Sequence, residues 1–110
     1  MASTTNDIGA YVYVSYPRTA DIKFNTEYYI NKHCALVDKH WKAFGLKSCT
    51  VVQFAEDDPS GIHTQAILLW DSVEQFDKAI GANIPELMQD LPNYSNVTPI
   101  FYHAKVLRLA

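Results

Sequence analysis

Two histidines on one predicted helix have the clearest potential for chemistry. His33 and His40 fall between Asn25, a plausible N-cap, and Gly45, a residue typical of helix ends, in a run without glycine or proline. At 100° per residue, His33 lies about 40° and His40 about 20° from Tyr29, so both fall within the apolar stripe of the helix. An imidazole has an ordinary pKa of about 6.5, which suits proton transfer near neutral pH. We therefore expect both histidines to face the space between this helix and a sheet.

Two interpretations of His33 stay open at this level. One is a core histidine that bonds a backbone carbonyl or a tyrosine, which is the usual case for an isolated histidine. The other is a general acid or base in a pocket. Tyr28 and Tyr29 lie about one turn before His33 and can orient it or share a proton. His33 and Tyr29 are therefore the candidate catalytic residues.

A second set of side chains is expected to contact a substrate beside this pair. Its members are aromatic, aliphatic or imidazole groups on the helix and on the flanking strands. They are Tyr13, Tyr28, Val37, His40, Trp41 and His103. Strand alternation makes either Tyr102 or His103 face the helices, and the sequence does not decide between them.

Motifs for metals and nucleotides do not occur in the sequence. His33 and His40 are about 10 Å apart along a helix axis, too far to share one ion. Neither a phosphate-binding glycine pattern nor a serine nucleophile elbow is present. Cys34 and Cys49 are interpreted as small reduced residues, with Cys34 at the rim of the pocket. We predict neither a metal ion nor a cofactor.

Length and composition limit the class of protein in which these residues can act. The chain has 110 residues, which fits one domain over residues 1–110 with a polar tail at 1–9. Hydrophobic residues make up 48% and charged residues 19%, which excludes a disordered chain. The net charge of −3 argues against nucleic acid as a partner. No apolar run approaches the roughly 20 residues of a membrane span, and no signal-peptide pattern occurs, so we predict a cytoplasmic protein.

The elements that must position these residues alternate in type. Strands are predicted at residues 10–16, 46–54, 64–70 and 100–107, and helices at 26–44 and from a capping box at Ser72. Gly81 and Pro85 break the second helix, and a short turn follows at residues 86–91. This β-α-β-β-α-β order predicts an α+β ferredoxin-like fold, a four-stranded antiparallel sheet with both helices on one face. The middle strands are apolar on both faces, so we predict a homodimer through the open face of the sheet.

These residues also resemble the helix and loop motifs of the EthD family of dimeric α+β barrel proteins. The matching segments are Tyr16-Pro17, Tyr28-Tyr29 with His33 and Leu36-Val37, Trp70-Asp71-Ser72-Val73-Glu74, and the loop 90–96 followed by Pro99. The resemblance covers residues 11–107. It implies a dimeric barrel and a pocket-lining position for His33. It also implies acid/base chemistry in a hydrophobic pocket, in general without a cofactor.

Three functions are compatible with these expectations. The first is a cofactor-independent lyase, isomerase or cyclase that acts on a hydrophobic, aromatic substrate; the polyketide-like class comes from the resemblance. The alternative is a non-catalytic dimeric barrel protein that binds a hydrophobic ligand or is associated with stress. The third is a haem-binding or haem-degrading protein, with His33 or His103 as axial ligand, or a cofactor-free oxygenase. A fold by itself does not choose among them.

Overall fold

The computed structural model describes residues 9–108, and it has the predicted order of elements. Strand β1 (Ala10–Pro17) is followed by helix α1 (residues 26–44), strands β2 (Ser48–Gln53) and β3 (Ile62–Trp70), helices α2 (Val73–Gly81) and α3 (Pro85–Gln89), a 3-10 turn (Leu91–Asn93) and strand β4 (Ile100–Lys105). Apart from Gly9, the predicted tail lies outside the described residues. Within 9–108, no helix is long and apolar enough to cross a membrane.

The four strands form one antiparallel sheet in the order β2-β3-β1-β4. This is the predicted ferredoxin-like α+β arrangement, and the prediction of the fold class is confirmed. Val12 lies opposite both Leu68 and His103, and these three side chains share the face that carries the helices. Tyr102 therefore belongs to the open face of the sheet, which settles the choice that the sequence left between Tyr102 and His103.

The core lies between the helices and the helix-bearing face of the sheet. Val12, Tyr16, Leu68 and Trp70 on the two central strands are at most 2% exposed. Their neighbours in sequence point the other way and are mostly only half-buried. The packing of α1 and α2 buries this face of the sheet. The second face is not covered by any part of residues 9–108.

Helix α1 is continuous but changes its geometry where the candidate site begins. The Asn25 side chain accepts a hydrogen bond from the Tyr28 N–H at 3.0 Å, so Asn25 is the N-cap that the sequence predicts. From Tyr29 to His33 the helix is a π-helix, in which the Cys34 N–H donates to the Tyr29 carbonyl. The last turn closes at Gly45, which has a φ of +112°.

The π-helical turn changes which side chains of α1 face the sheet. Tyr29, His33, Val37 and Trp41 are all buried, at a strict spacing of four residues. In an α-helix that spacing rotates by about 40° at each step, and the same geometry places His40 about 20° from Tyr29. The wider π turn takes up part of this rotation. The expectation for His40 is therefore wrong, and Trp41 is the residue that points into the core.

Replacing Gly45 with alanine should lower the free energy of unfolding by about 1–3 kcal/mol. A side chain at a φ of +112° is strained, and a Cβ atom would lie 2.6 Å from the Gln75 amide, whose oxygen accepts the Asp71 N–H. Urea denaturation measures the loss. Gly81→Ala is the matched control, because a Cβ at Gly81 has no atom within 4 Å, and its stability should change little. Equal effects of the two substitutions would contradict the prediction.

Candidate functional site

An apolar cavity of about 130 Å³ lies between the sheet and helices α1 and α3. Its wall combines residues of all four strands, the three helices and the segment before β4. The lining includes Val14, Tyr16, Tyr29, His33, Cys34, Val37, Trp41, Cys49, Leu68, Leu87, Tyr94 and Phe101. Because most of these side chains are hydrocarbon, the few polar groups that reach the cavity act in a water-poor environment.

The central polar feature of this wall is a buried pair of His33 and Asp90. His33 Nδ1 lies 2.9 Å from Asp90 Oδ2, and the two residues are 7% and 6% exposed. Asp90 lies between α3 and the 3-10 turn, so that segment sets its position. Its other oxygen, Oδ1, accepts hydrogen bonds from Tyr28 Oη at 2.6 Å and Asn93 Nδ2 at 2.9 Å. The carboxylate is thus held by three donors.

These contacts define the protonation of the pair. Burial lowers the pKa of His33, against the opposing effect of Asp90, so the imidazole is neutral at neutral pH. Burial by itself would raise the pKa of Asp90, but the hydrogen bonds from Tyr28, Asn93 and His33 lower it overall. An ionised carboxylate only accepts, so the His33 proton lies on Nδ1 and Nε2 carries the lone pair. His33 is therefore arranged as a base at Nε2.

Two tyrosines contact the imidazole of His33, and a third bonds to one of them. The Tyr29 ring stacks on it, with centroids 5.3 Å apart and an interplanar angle of 16°. Tyr94 Oη lies 3.5 Å from His33 Nε2 and 2.7 Å from Tyr16 Oη. Burial raises the pKa of Tyr16, Tyr29 and Tyr94, so all three stay protonated phenols. A row of groups from Asp90 through His33 and Tyr94 to Tyr16 can thus accept, hold and donate protons.

Most of the predicted helix residues meet in this cavity. His33, Tyr29, Val37 and Trp41 all lie on its wall. Tyr28 lies one layer further out, where its hydroxyl donates to Asp90 instead of reaching the cavity. The catalytic and substrate-binding roles assigned to these residues stay predictions, but their convergence gives the predictions a common location.

Tyr13 and His40 do not line the cavity, and the expectation that they contact a substrate there is corrected. Tyr13 lies opposite Tyr102 on the open face of the sheet, because strand alternation turns the odd-numbered residues of β1 away from the helices. Tyr16 is the tyrosine of β1 that reaches the cavity. His40 lies outside because of the π turn, and its Nε2 is 2.8 Å from the Glu86 carboxylate at the surface.

His103 also lies away from the cavity, although it is on the helix-bearing side of the sheet. It is exposed on the edge strand β4, and its ring centroid is 6.1 Å from that of Phe76. It lines a second, more open groove beside α2. This groove shares Trp41, Leu87 and Phe101 with the cavity of His33, and the role of His103 as a substrate contact stays a prediction.

Sequence reasoning missed the residues that complete the site. Asp90 and Tyr94 were recognised only as part of a loop motif, and Tyr16 only as the end of a strand. The available signal was the spacing of Asp90, Asn93 and Tyr94 on one short turn directly after a helix. Their proximity to His33 was not visible, because Asp90 is 57 residues further along the chain.

The described residues offer no ready metal centre. Across residues 9–108, no group of three or more His, Cys, Asp or Glu side chains could hold an ion. Haem would require a histidine nitrogen open to iron. His33 uses Nδ1 for Asp90, and an iron at Nε2 would have to displace Tyr94. The wall therefore fits a small organic molecule better than a haem held by His33.

Acid should destabilise the protein in two steps, because His33 and Asp90 both have pKa values below their ordinary ones. Such groups bind protons more strongly in the unfolded chain, so stability falls as the pH drops below each unfolded pKa. His33 contributes to a loss below about pH 6.5, and Asp90 to a second below about pH 3.8. His33→Gln should reduce the first loss, while His63, whose pKa burial also lowers, retains its share. Urea unfolding across the pH range measures both steps; an unchanged first step in the variant would contradict the assignment.

Comparison with known proteins agrees with this architecture. No protein-family model and no curated protein matches the sequence. An EthD-like protein from Ralstonia eutropha has a TM-score of 0.79 and 24% identity, over 91% of this chain and 93% of that one. An EthD family protein from Bacillus halodurans has a TM-score of 0.59 and 14% identity, over 90% and 99%. A dimeric ferredoxin-like protein from an uncultured marine organism has a TM-score of 0.52 and 14% identity, over 93% and 97%. The chain therefore has the fold of the EthD-like proteins, which its motifs resemble.

Proposed function

We propose that this protein is a cofactor-independent enzyme in which His33 acts as general base on a hydrophobic substrate. The observation that carries the proposal is the buried His33–Asp90 pair in the wall of an apolar cavity. A neutral imidazole oriented by a buried carboxylate is a recurring arrangement in proton-transfer catalysis. Lyase, isomerase and cyclase reactions share such a proton transfer, so the proposal covers dehydration, decarboxylation and cyclisation.

The proposed reaction begins at His33 Nε2. This nitrogen removes a proton from a carbon next to a carbonyl group, or from a phenol, and the imidazole becomes cationic. Asp90 stabilises that cation through Nδ1 and keeps the ring in place. General-base catalysis of this kind contributes about 10²–10⁴-fold to a rate.

Tyr94 and Tyr16 are proposed to stabilise the oxygen on which charge develops. Their hydroxyls lie 2.7 Å apart and stay protonated, so one of them can donate to an enolate or phenolate oxygen. The contact between Tyr94 and His33 Nε2 is long, at 3.5 Å, and a substrate group can replace it at little cost. A bound substrate can then form stronger hydrogen bonds with Tyr94 and His33 than the two residues form with one another.

An aromatic substrate is proposed from the lining of the cavity. Tyr29, Trp41 and Phe101 offer ring surfaces, and Val37 and Leu87 offer aliphatic ones. The resemblance to the EthD family adds a polyketide-like molecule as one specific form. Water-poor walls also protect a charged intermediate from unwanted hydrolysis.

We also propose that two copies of the chain pair through the open face of the sheet. Tyr11, Tyr13, Ile67 and Leu69 on this face are half-buried in one chain, and Tyr102 on the edge strand is 53% exposed. A twofold partner offers the same apolar surface and would cover it. The similar protein from the marine organism is itself dimeric. The dimer places one cavity on each outer side of the paired sheets.

The setting proposed for this chemistry is the cytoplasm, with a small molecule and not a nucleic acid as partner. Cys34 and Cys49 are unpaired thiols, which suits a reducing compartment. The net charge of −3 disfavours binding to phosphate backbones.

Base-catalysed deuterium exchange tests the proposal without knowledge of the natural substrate. In D₂O, the protein should exchange the acidic carbon-bound protons of an aromatic ketone such as β-tetralone faster than buffer does. His33→Gln should lower the enzymatic exchange rate by about 10²-fold or more. NMR spectroscopy measures the rate. His40→Gln is the matched control, because His40 lies on the same helix and pairs with a carboxylate outside the cavity. Equal exchange by wild type and His33→Gln would remove His33 from the mechanism.

The alternative is a protein that binds a hydrophobic ligand without turnover. The hydrogen bonds of His33 to Asp90 and Tyr94 favour it, because they satisfy the imidazole within the protein. In that case, β-tetralone should bind and quench tryptophan fluorescence, since Trp41 lines the cavity, while exchange stays at the rate of buffer.

A further inference from the structure

Two cysteines from different elements meet in the cavity wall beside His33. Cys34 follows His33 directly on α1, and Cys49 lies on β2 opposite Leu68, on the helix-bearing face of the sheet. Both are half-buried, both line the cavity and neither is in a disulfide. Each thiol shifts the pKa of the other, and both side chains lie in the same part of the cavity wall. The proposed proton-transfer chemistry uses neither thiol.

We propose that Cys34 and Cys49 are a thiol-oxidation site, which a peroxide converts to a reversible disulfide between α1 and β2. Neighbouring side chains on packed elements need only small rotations to reach bonding distance. Each thiol is carried by a regular element packed in the core, so the pair stays together. The cavity gives a small peroxide access to the sulfur atoms. The inference does not depend on a catalytic role for His33.

The two thiols have different parts in the oxidation. The interaction with Cys34 lowers the pKa of Cys49, so the Cys49 thiol ionises more readily and is the one that attacks. Its sulfur takes one oxygen of hydrogen peroxide, the O–O bond breaks, and the other oxygen leaves as water after protonation. The Cys34 sulfur then attacks the Cys49 sulfenic acid, the S–S bond forms, and the S–O bond breaks to release a second water. The two thiols lose two electrons, and one peroxide becomes two waters.

The disulfide would connect the oxidation state to the candidate site. The S–S bond is about 2.05 Å long, shorter than any contact between two thiols, so α1 is drawn to β2 one residue from His33. Two S–H groups also disappear from the cavity wall. We therefore expect the environment of the His33 ring to change on oxidation.

Mass spectrometry of the full-length protein tests the proposal. The reduced protein is treated with one equivalent of hydrogen peroxide, unfolded in the presence of an alkylating reagent and weighed. The expected product has lost two hydrogen atoms, takes up no alkyl group, and is restored by dithiothreitol. The Hε1 resonance of His33 should shift together with the change in mass. Cys34→Ala and Cys49→Ala should each fail to give this product and instead gain oxygen or stay alkylatable.

The wild-type measurement alone can overturn the proposal, so a variant that fails to fold does not leave it open. Two cysteines that stay alkylatable after peroxide treatment would contradict it. So would oxygen adducts without loss of hydrogen, or a product of doubled mass, which would show a bond between two chains. A disulfide that leaves the His33 resonance unchanged would remove the connection to the candidate site.

Discussion

Asp90→Asn should lower the rate of ketone deuterium exchange by about 10²–10⁴-fold, while β-tetralone affinity changes by less than about twofold. Asp90 Oδ1 accepts hydrogen bonds from Tyr28 and Asn93. In the variant the amide oxygen must keep that place, so the amide NH₂ group faces His33 Nδ1. Since a donor cannot face a protonated nitrogen, the imidazole proton moves to Nε2, where the base is needed.

Two measurements separate this effect from general damage. The ¹⁵N chemical shifts of the imidazole report which nitrogen carries the proton, and they should show the tautomer reversed. Glu86→Gln is the matched control, because it changes the carboxylate partner of His40, which lies outside the cavity. Its exchange rate should equal that of wild type. Unchanged exchange in a folded Asp90→Asn protein would show that His33 does not work through this carboxylate.

Ile67→Lys should weaken the proposed homodimer by about a hundredfold or more, which corresponds to roughly 3 kcal/mol. Ile67 lies on the central strand β3, between Tyr13 and Thr50 on the open face of the sheet. In the single chain a lysine there can extend its ammonium group into water. In the proposed dimer the same group would be buried between two sheets without a partner of opposite charge.

Sedimentation equilibrium at a series of protein concentrations measures this weakening. Ile30→Lys provides the matched control, because Ile30 is 50% exposed on helix α1, away from the sheet. That variant should keep the dissociation constant of wild type. A wild-type chain that is monomeric at all accessible concentrations, or a dimer that Ile67→Lys leaves intact, would contradict the assignment of this face.

Local rules were sufficient for the elements of the fold. A run without glycine or proline between Asn25 and Gly45 predicts helix α1, and the structure confirms both ends. Ser72 caps α2 as its capping motif indicates, with its side chain accepting the Gln75 N–H. These outcomes depend on caps, backbone angles and propensity within a few residues, so they can be predicted from sequence.

Which face of a strand or helix a side chain lies on was predictable only where one of the two faces is polar. In β1 both faces carry valine or tyrosine, so nothing local distinguishes Tyr13 from Tyr16. On α1, the π turn changes the periodicity from which His40 was placed. The orientation of the β1 tyrosines was decided by pairing with β3 and β4. The position of His40 was decided by the packing of α1 on the sheet.

The sequence by itself determined the order of the elements, the helix that carries His33 and the burial of that histidine, because each depends on neighbours along the chain. Only the tertiary structure decided what His33 can do. Its carboxylate, Asp90, and its nearest hydroxyl, Tyr94, are 57 and 61 residues away in sequence, and Tyr16 comes from another strand. Contacts between residues so far apart in sequence form because the loop after α3 folds over α1. That packing, and not any pattern in α1, orients the His33 ring as the proposed base requires.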